Sequence, residues 1–481
     1  MPALIQRSIF ILCLILLATS VIAETVPTGG GFTDAAEFGF SPDATGLENT
    51  AALQRAVDRG GTITVSRPGT YLIGGTVYLG SHTSLIFGNG VFLKKVAEKE
   101  PFNHVLLNKG ALTKTYDRDI TVTGLHLIIN GVDVNKWQVF GLRGQIAFFY
   151  VRDLRIERFR CDDLGATQFG IHVCTFEDLL INDVIVKGRK DGVHLGRGKR
   201  FKISNGVFQT GDDAIALNAH DYATSNPELG WIEDGVVENC HDLADPKQKA
   251  GFFCRILAGA WIDWKPGMEV QHSDTVVSGG RLYRVQAKAD GTTYESLTRP
   301  THTQGAQVLD GINWGVVQED VTYTAGVRNV VFRDIFLSQP RVGFSIHFDF
   351  GVWSRSYYPG APIPQQENLL FDNVRVLHDE KSSFLSIATP VDTVSLVNCT
   401  FRRSGIVFRG DQALSDYLPT RLNFVGCVFN HPGTMGLVAN QVPNKVISLK
   451  TTASLEAASF SATVSAGKGQ INVDSDLTGL K

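Results

Sequence analysis

The chain is poor in methionine and carries little net charge. It has 3 Met among 481 residues, and its 45 basic and 48 acidic residues leave a formal net charge of −3. This balance gives no electrostatic basis for binding nucleic acid, and a hydrophobic content of 43% excludes a disordered chain. No two cysteines stand in the Cys-x-x-Cys spacing of structural metal sites. The composition therefore indicates a folded protein with a sizeable core.

Long hydrophobic runs are also missing, except for one near the N-terminus. That run, Ser8 to Ala18, follows Arg7 and is too short to span a membrane. Small residues follow it at a plausible cleavage point, so residues 1–23 are predicted to be a secretory signal peptide. We therefore expect a secreted protein, extracellular or periplasmic, without membrane insertion. Nothing in the sequence indicates an oligomeric state.

A repeated phrase is the strongest signal that is present. Each copy is a short apolar stretch around an Asn or Asp, followed by a turn and a second short strand. The copies include LINDVIVKGR (180–189), ISNGVFQTGD (203–212), LFDNVRVLH (370–378), SLVNCTFRR (395–403) and NFVGCVFNH (423–431). Asn182 and Asn205 are 23 residues apart, and Asn373 and Asn398 are 25 apart. A period in the twenties without helical periodicity predicts stacked β-coils.

The predicted fold is therefore all-β, a right-handed parallel β-helix. One coil cannot bury its inward side chains alone, and neighbouring coils complete the core. Asn or Asp at the corners suits this fold because both residues tolerate left-handed backbone. A leucine-rich repeat shares the period, but its LxxLxLxxN spacing is not sustained. Cys399 and Cys427 occupy matching places in two repeats, as stacked buried thiols or as a disulfide.

Two segments depart from the repeat. Residues 49–59 read as a short amphipathic helix, with Asn49 or Thr50 near its N-cap, that covers the open end of the stack. Residues 263–320 read as a small inserted β subdomain, which divides the β-helix domain into 24–262 and 321–481. With Trp264 and Trp314 at its flanks, the insertion is either a sugar-binding module or a structural excursion that protects the stack.

Three aspartates fall into register within the repeat. KDGVHL aligns with DDAIAL, so that Asp191 matches Asp213 at a separation of 22 residues, with Asp212 beside both. Like charges this close raise at least one pKa, which leaves a protonated acid next to an ionised base. Glycosidic cleavage needs that combination. The alternatives are corner aspartates that only cap turns, or a Ca²⁺ site.

The same residues carry a family resemblance. GDDAIAL, with an Asp-Gly step one coil earlier, resembles the polygalacturonase family (glycoside hydrolase family 28), and the N-terminal stretch resembles pectate-lyase-like β-helix proteins. The resemblance implies an inverting, cofactor-free hydrolase of a polysaccharide. It makes Asp212 the general acid, while Asp191 and Asp213 hold and activate the water. FCRIL resembles the family's RIK segment, so Arg255 is the candidate for gripping a substrate anion.

Further substrate contacts are expected around the trio. His172 and His194 are 22 residues apart and are predicted to line the same outer sheet as the aspartates. The other candidates are His220, Lys190, Arg189 and Asn218. Basic residues around an acidic centre favour an anionic glycan, uronate-containing or sulfated. Because Arg189-Lys190 and Leu257 differ from the family's residues, we expect a glycan other than galacturonan.

Two other functions stay open at this point. A polysaccharide lyase of this fold would use Ca²⁺ held by Asp191, Asp212 and Asp213, and Arg255 or a lysine would remove the proton. A non-catalytic glycan-binding or adhesive β-helix would need none of the three carboxylates for chemistry. The fold alone does not choose among these functions.

Overall fold

The computed structural model describes residues 31–247, 250–349, 351, 354–409, 420–429, 438–440, 446–451, 464–466 and 470–475. The predicted signal peptide, residues 1–23, lies outside this range. The chain forms a right-handed parallel β-helix, as predicted. Among the described residues, no helix has both the length and the apolar character that a membrane span requires.

Each coil contributes strands to three parallel sheets, A, B and C. Sheet A contains Val77–Leu79, Leu106–Asn108, Val193–Leu195, Ile215–Asn218, Cys254–Leu257, Phe344–His347, Ser382–Ile387, Ser404–Phe408, Val438–Asn440 and Val464–Ala466. Sheet B contains Phe32–Asp34, Gly61–Val65, Thr83–Phe87, Asp117–Thr123, Glu367–Asp372, Thr393–Val397, Thr420–Val425, Val446–Thr451 and Gln470–Ser475. Sheet C contains Gly69–Ile73, Val91–Lys95, His126–Ile128, Arg375–Val376, Thr400–Phe401 and Val428–Phe429.

Five longer strands continue around the corners of the coil. Gly144–Leu164 and Phe169–Gly188 run through all three sheets, and Gly198–Thr210, Ile232–Asp242 and Val327–Leu337 run through sheets B and C. The backbone pairs with the coil above and the coil below, so one side chain stacks on its counterpart at every level. On the inner side of sheet A, Val193, Ile215, Cys254 and Phe344 stack in this way and are fully buried.

Asn and Asp residues form ladders at the coil corners. Asp183, Asn205, Asn239, Asp334 and Asn373 stand in register between sheets B and C, and all have φ between 50° and 56°. Their side chains bond along the stack: Asn239 Nδ2 donates to Asn205 Oδ1 at 2.6 Å, and Asn373 Nδ2 donates to Asp334 Oδ1 at 2.6 Å. The left-handed corners expected from the repeat are confirmed.

The helix that covers the first coil begins earlier than predicted. It spans Gly46–Val57 and is capped by Thr45, whose side chain accepts from the Glu48 N–H while Glu48 accepts from the Thr45 N–H at 2.9 Å. This capping box satisfies two N–H groups that Asn49 could not reach. Asn49 lies inside the helix, buried, and bonds Ser41. Short 3₁₀ helices span Ala35–Phe38 and Lys109–Leu112.

The segment that interrupts the repeat has its own β-sheet. Its five strands are Ile262–Asp263, Thr275–Ser278, Arg281–Val285, Ala306–Leu309 and Ile312–Gln318. Two small pairs accompany them, Met268–Val270 with Tyr294–Ser296 and Gly259–Ala260 with Thr324–Ala325. Trp264 and Trp314 pack in this unit's own core, where Trp314 is fully buried. They therefore present no aromatic face for a sugar.

Cys399 and Cys427 occupy neighbouring coils as the repeat predicts. Both thiols are buried and free, one stacked on the other, with Thr400 in register with Val428. The Cys427 thiol donates to the carbonyl of Leu396 at 3.3 Å, so each sulfur fills core space within the stack. Of the two readings of this pair, the structure has the stacked thiols.

Asn205 provides a test of the corner ladder. Asn205→Ala removes the tolerance for φ 56° and the bonds to Asn182 and Asn239, which should cost about 1–2 kcal/mol. Asn205→Gly restores only the backbone tolerance, so its stability should lie between those of the wild type and Asn205→Ala. The midpoint of thermal unfolding measures both variants against Asn135→Ala, an exposed residue outside the ladder. Equal midpoints for Asn205→Ala and Asn135→Ala would contradict the ladder's contribution.

Candidate active site

The three aspartates meet in the turns that lead from sheet C into sheet A. Asp191 precedes Val193–Leu195, and Asp212 and Asp213 precede Ile215–Asn218. Val193 pairs with Ile215 one coil on, and the Gly192 N–H donates to the Asp213 carbonyl at 2.9 Å. One oxygen from each carboxyl group lies within 4.8 Å of the other two. The registration predicted from the 22-residue spacing is present in the structure.

The three carboxyl groups differ in their access to solvent. Asp191 and Asp213 are 3% and 2% exposed, whereas the Asp212 side chain is 34% exposed. Asp213 Oδ1 also accepts from the Phe252 N–H at 2.9 Å. Asp212 is therefore the member of the trio that can meet a ligand arriving from solvent.

Lys190 supplies a cation inside the trio. Its ammonium lies 3.3 Å from Asp191 Oδ1 and forms a closer ion pair with Asp212, while the side chain is only 16% exposed. The ring of Phe169 stands 5.6 Å from the ammonium and limits its contact with water on that side. Lys190 is therefore a counter-ion for the trio in this structure, shared by two carboxylates.

The pKa values of the three carboxyl groups are shifted in opposite directions. Burial alone would raise the pKa of Asp191, but the Lys190 ammonium and the His194 hydrogen bond bring it well below its ordinary value. Burial and the charge of Asp191 raise the pKa of Asp212 despite Lys190. Burial and the charges of Asp212 and Asp191 raise the pKa of Asp213 well above the ordinary value. Asp191 therefore favours the ionised form, whereas Asp213 favours the protonated form.

His194 is buried next to the trio and contacts it through Asp191. Its Nδ1 lies 2.9 Å from Asp191 Oδ2, and its Nε2 lies 3.8 Å from Asp221 Oδ2. The imidazole stacks on Phe169 with ring centres 4.1 Å apart and is 1% exposed. Its contacts orient the Asp191 carboxylate, and its burial removes it from direct contact with a substrate.

Arg255 is in register with Ala216 on the outer face of sheet A. Its guanidinium bonds Asp349 Oδ2 at 2.7 Å and lies 3.7 Å from Asp221 Oδ1, with 14% of the side chain exposed. The expected anion-gripping arginine therefore reaches the site already paired with carboxylates. An anionic group would have to share Arg255 with Asp349.

Three other predicted substrate contacts are buried and bonded within the protein, as His194 is, and their role in substrate binding stays a prediction. His172 accepts from the Arg143 N–H at 3.0 Å, and His220 lies 3.2 Å from Thr275 Oγ1. Burial lowers the pKa of His172 well below its usual value and that of His220 to about 3, so both imidazoles are neutral. Asn218 donates to Asp221 Oδ2 at 2.7 Å. Arg189 is exposed next to Lys190.

Asp221 and Asp349 were missed at the sequence level. Asp221 lies in a loop outside the repeat, where the spacing of residues has no predictive value. In the chain it directly follows Asn218-Ala219-His220. Asp349 follows the strand Phe344–His347, whose Ser345 pairs with Arg255. That register was the one signal that could have placed it near the arginine.

The structure also has a groove away from the trio. A cavity of about 270 Å³ lies on the sheet B side, lined by Tyr116, Arg197 and Trp231 among others. Arg328 covers the ring of Trp231, and Arg152 covers that of Tyr116. We place the candidate site at the trio because three carboxyl groups cluster there, their pKa values are shifted in opposite directions, and Asp212 is partly exposed to solvent.

Comparison with known proteins gives distant similarities. No protein-family model matches the chain. Its sequence is similar to the flagellar P-ring protein of Fervidobacterium nodosum, 24% identical over 245 residues, which cover 45% of this chain and 70% of that protein.

Three solved structures of different kinds are similar to the chain. The family 28 exopolygalacturonase of Yersinia enterocolitica is 12% identical, with 92% of this chain and 78% of that chain covered and a TM-score of 0.46. The Streptococcus pneumoniae adhesin PfbA is 11% identical, with 92% and 91% covered and a TM-score of 0.46. The tailspike protein of E. coli bacteriophage HK620 is 11% identical, with 93% and 77% covered and a TM-score of 0.47. All three likenesses are distant, with TM-scores below 0.5, and they carry no conclusion about the family or the activity of this chain.

The opposite pKa shifts of Asp191 and Asp213 predict that substituting these two residues changes stability in opposite directions. An acid whose pKa is raised by folding holds its proton more tightly in the folded state. The stability it contributes therefore falls as pH rises above the unfolded pKa of about 4. Asp213→Asn should accordingly be more stable than the wild type at pH 7, and the gain should shrink as pH approaches 4. An acid whose pKa is lowered contributes stability at neutral pH, which is lost in acid, so Asp191→Asn should be less stable at pH 7.

Chemical unfolding of the two variants and the wild type at several pH values measures this pair of effects. Each variant is the control for the other, because both exchange a buried carboxylate for an amide of the same size in neighbouring coils. If Asp213→Asn lost as much stability at pH 7 as Asp191→Asn, the opposite pKa shifts of the two residues would be contradicted.

Proposed function

We propose that this protein is a glycoside hydrolase that cleaves a polysaccharide with the carboxyl groups of Asp212 and Asp191. The observation that carries the proposal is that three register-matched aspartates bring their carboxyl oxygens within 4.8 Å of one another, with Asp212 the most exposed of the three. General acid catalysis needs a carboxyl group that holds its proton and can reach the leaving oxygen. Asp212 is accessible from solvent, and burial and the charge of Asp191 raise its pKa.

In the proposed reaction Asp212 donates its proton to the glycosidic oxygen as the bond from that oxygen to the anomeric carbon breaks. Water attacks the anomeric carbon, and Asp191 accepts the proton that the water loses. Asp191 suits this role because Lys190 and His194 keep it ionised. Each turnover leaves the proton on Asp191 rather than on Asp212, and exchange with solvent restores the starting state.

Asp213 takes a different role from the one expected. The resemblance made it a partner of Asp191 in activating water, but its raised pKa favours the protonated form, which cannot accept a proton from water. As a buried neutral acid that accepts from the Phe252 N–H, it adds no second negative charge beside Asp191. The charge that raises the pKa of Asp212 is then that of Asp191.

Stereochemistry is a separate part of the proposal. The resemblance implies inversion, whereas inverting carboxyl pairs usually stand about 6.5–9.5 Å apart and the nearest oxygens here lie within 4.8 Å. Inversion is still the expected outcome of the proposed reaction, because a single displacement by water inverts the anomeric carbon. NMR of the first-formed product should show the anomer opposite to the substrate linkage, and a retained anomer would overturn this part alone.

The proposed substrate is an anionic glycan. Lys190 and Arg255 are partly exposed at the trio, and Arg189 is exposed beside them. Charge-assisted bonds from such groups suit uronate or sulfate oxygens. Because Asp349 competes for Arg255, the glycan would depend largely on attraction to the exposed cations. Salt screens such attraction, so we expect binding to weaken as salt is added.

The Ca²⁺-dependent lyase fits the site less well. Calcium takes 6–8 oxygen ligands at about 2.3–2.6 Å, and here the Lys190 ammonium lies between Asp191 and Asp212, where such an ion would sit. Because the Lys190 ammonium and a calcium ion would repel each other, the proposed reaction uses no metal.

Asp212→Asn tests the proposed acid. The wild type should release reducing ends from at least one glycan in a panel of pectic, algal and host polysaccharides. Asp212→Asn should be at least about a hundredfold slower, because an amide cannot donate the proton. Asp178→Asn makes the same change at an exposed corner on sheet B and should act like the wild type.

Three results would contradict the proposal. The ultraviolet absorbance of an unsaturated sugar, lost on adding chelator, would establish the lyase. Glycan binding without cleavage would favour the adhesive function. Unchanged hydrolysis in Asp212→Asn would remove Asp212 as the acid.

A further inference from the structure

A buried ion pair lies directly beneath the turn that carries Asp212. Asp242 ends the strand Ile232–Asp242, and Arg341 lies in the turn after Val327–Leu337, in the next coil. The guanidinium bonds both carboxylate oxygens, with Nε 3.1 Å from Oδ2 and Nη2 2.7 Å from Oδ1. Arg341 is 5% and Asp242 1% exposed. A pair at this depth is costly unless the remaining donors are also satisfied.

The third nitrogen of the Arg341 guanidinium, Nη1, bonds the turn that carries Asp212. Nη1 donates to the carbonyl of Asp212 at 2.6 Å, to that of Ala250 at 3.0 Å and to that of Thr210 at 3.2 Å. Hydrogen bonds from a cation to carbonyl oxygens are stronger than neutral ones. The planar fork of Arg341 can therefore join Asp242 to the backbone on either side of Asp212.

Two other contacts hold the same peptide. The Thr210 hydroxyl donates to the Asp212 carbonyl at 2.9 Å. Gly251 packs so closely that a Cβ there would stand 2.4 Å from the Asp212 carbonyl carbon. The peptide between Asp212 and Asp213 is thus bonded at its oxygen by two donors and covered by a glycine.

The other end of this peptide reaches the Asp212 carboxylate. The Asp213 N–H donates to Asp212 Oδ1 at 3.1 Å. A peptide is planar, so its carbonyl and its N–H turn together. A rotation that releases the carbonyl from Arg341 also moves the N–H that bonds the carboxylate.

We propose that Arg341, held by Asp242, is a positioning residue that sets the orientation of the Asp212 carboxyl group through this peptide. Arg341 does not touch the carboxyl group or the reacting bond. The inference deepens the proposed hydrolase and rests on it for its kinetic consequence, whereas the geometry it predicts can be measured without a substrate. A pair that only stabilises the stack would leave the carboxyl group unchanged when altered.

The experiment uses two variants and a control in the full-length protein. Arg341→Lys keeps the charge but loses the fork, and Thr210→Val removes the second donor while the ion pair stays intact. Arg328→Lys makes the same exchange in an arginine–carboxylate pair on sheet B, away from the trio. The readout is the rate at which a carbodiimide and an amine label Asp212, followed across pH by mass spectrometry of its peptide well below each unfolding temperature.

We expect labelling of Asp212 to rise several-fold in Arg341→Lys, to rise less in Thr210→Val, and to match the wild type in Arg328→Lys. On a glycan that the wild type hydrolyses, kcat of Arg341→Lys should fall by about 10–100-fold with KM little changed, since a small displacement of a catalytic group has that effect.

Wild-type labelling of Asp212 in both folded variants would overturn the inference, even if their unfolding temperatures fell. Should Arg341→Lys fail to fold, Thr210→Val decides alone, because it leaves the Arg341–Asp242 pair in place. A wild type that labels as expected but hydrolyses no glycan would defeat the proposed function and leave the positioning role supported.

Discussion

The backbone hydrogen bonds between successive coils are the interaction on which the site depends. They fix which residue stands above which, and a slip of one position would turn every side chain of a strand to the opposite face. Asp191 and Asp213 come together only because Val193 pairs with Ile215. The backbone hydrogen bonds between coils therefore bring the carboxyl groups together, whatever the interaction energy among the carboxyl groups themselves.

Placing five carboxyl groups near sheet A would be costly without built-in cations. Desolvating one ion costs several kcal/mol even after relaxation. Lys190 compensates Asp191 and Asp212, and Arg255 compensates Asp221 and Asp349. Two cations stand against five carboxyl groups, and the pKa values of Asp212 and Asp213 are raised, first by burial and then by the charges of neighbouring carboxylates.

The fold and the trio could be predicted from sequence because both follow from a period. Asn205 and Asn239 mark corners, and Asp191 and Asp213 share a register, whatever the rest of the chain does. The burial of His172 and His220 could not be predicted, because an outward position on sheet A does not imply exposure. The loop that follows Asn218 covers that face, and no spacing in the sequence encodes where a loop returns. Asp221 was missed for the same reason.

The inserted sheet acts on the site through that loop. A buried loop needs partners for its backbone polar groups, and Arg284, 1% exposed in the insertion, donates to the carbonyls of Asp221 at 3.2 Å and Asn226 at 2.5 Å. Asp221 in turn contacts His194 and Arg255. The tryptophans of the insertion pack in its own core, and its described contacts with the site include the hydrogen bonds from Arg284. It holds a carboxylate against the outer face of sheet A, where the small side chain of Ala216 leaves room between His194 and Arg255.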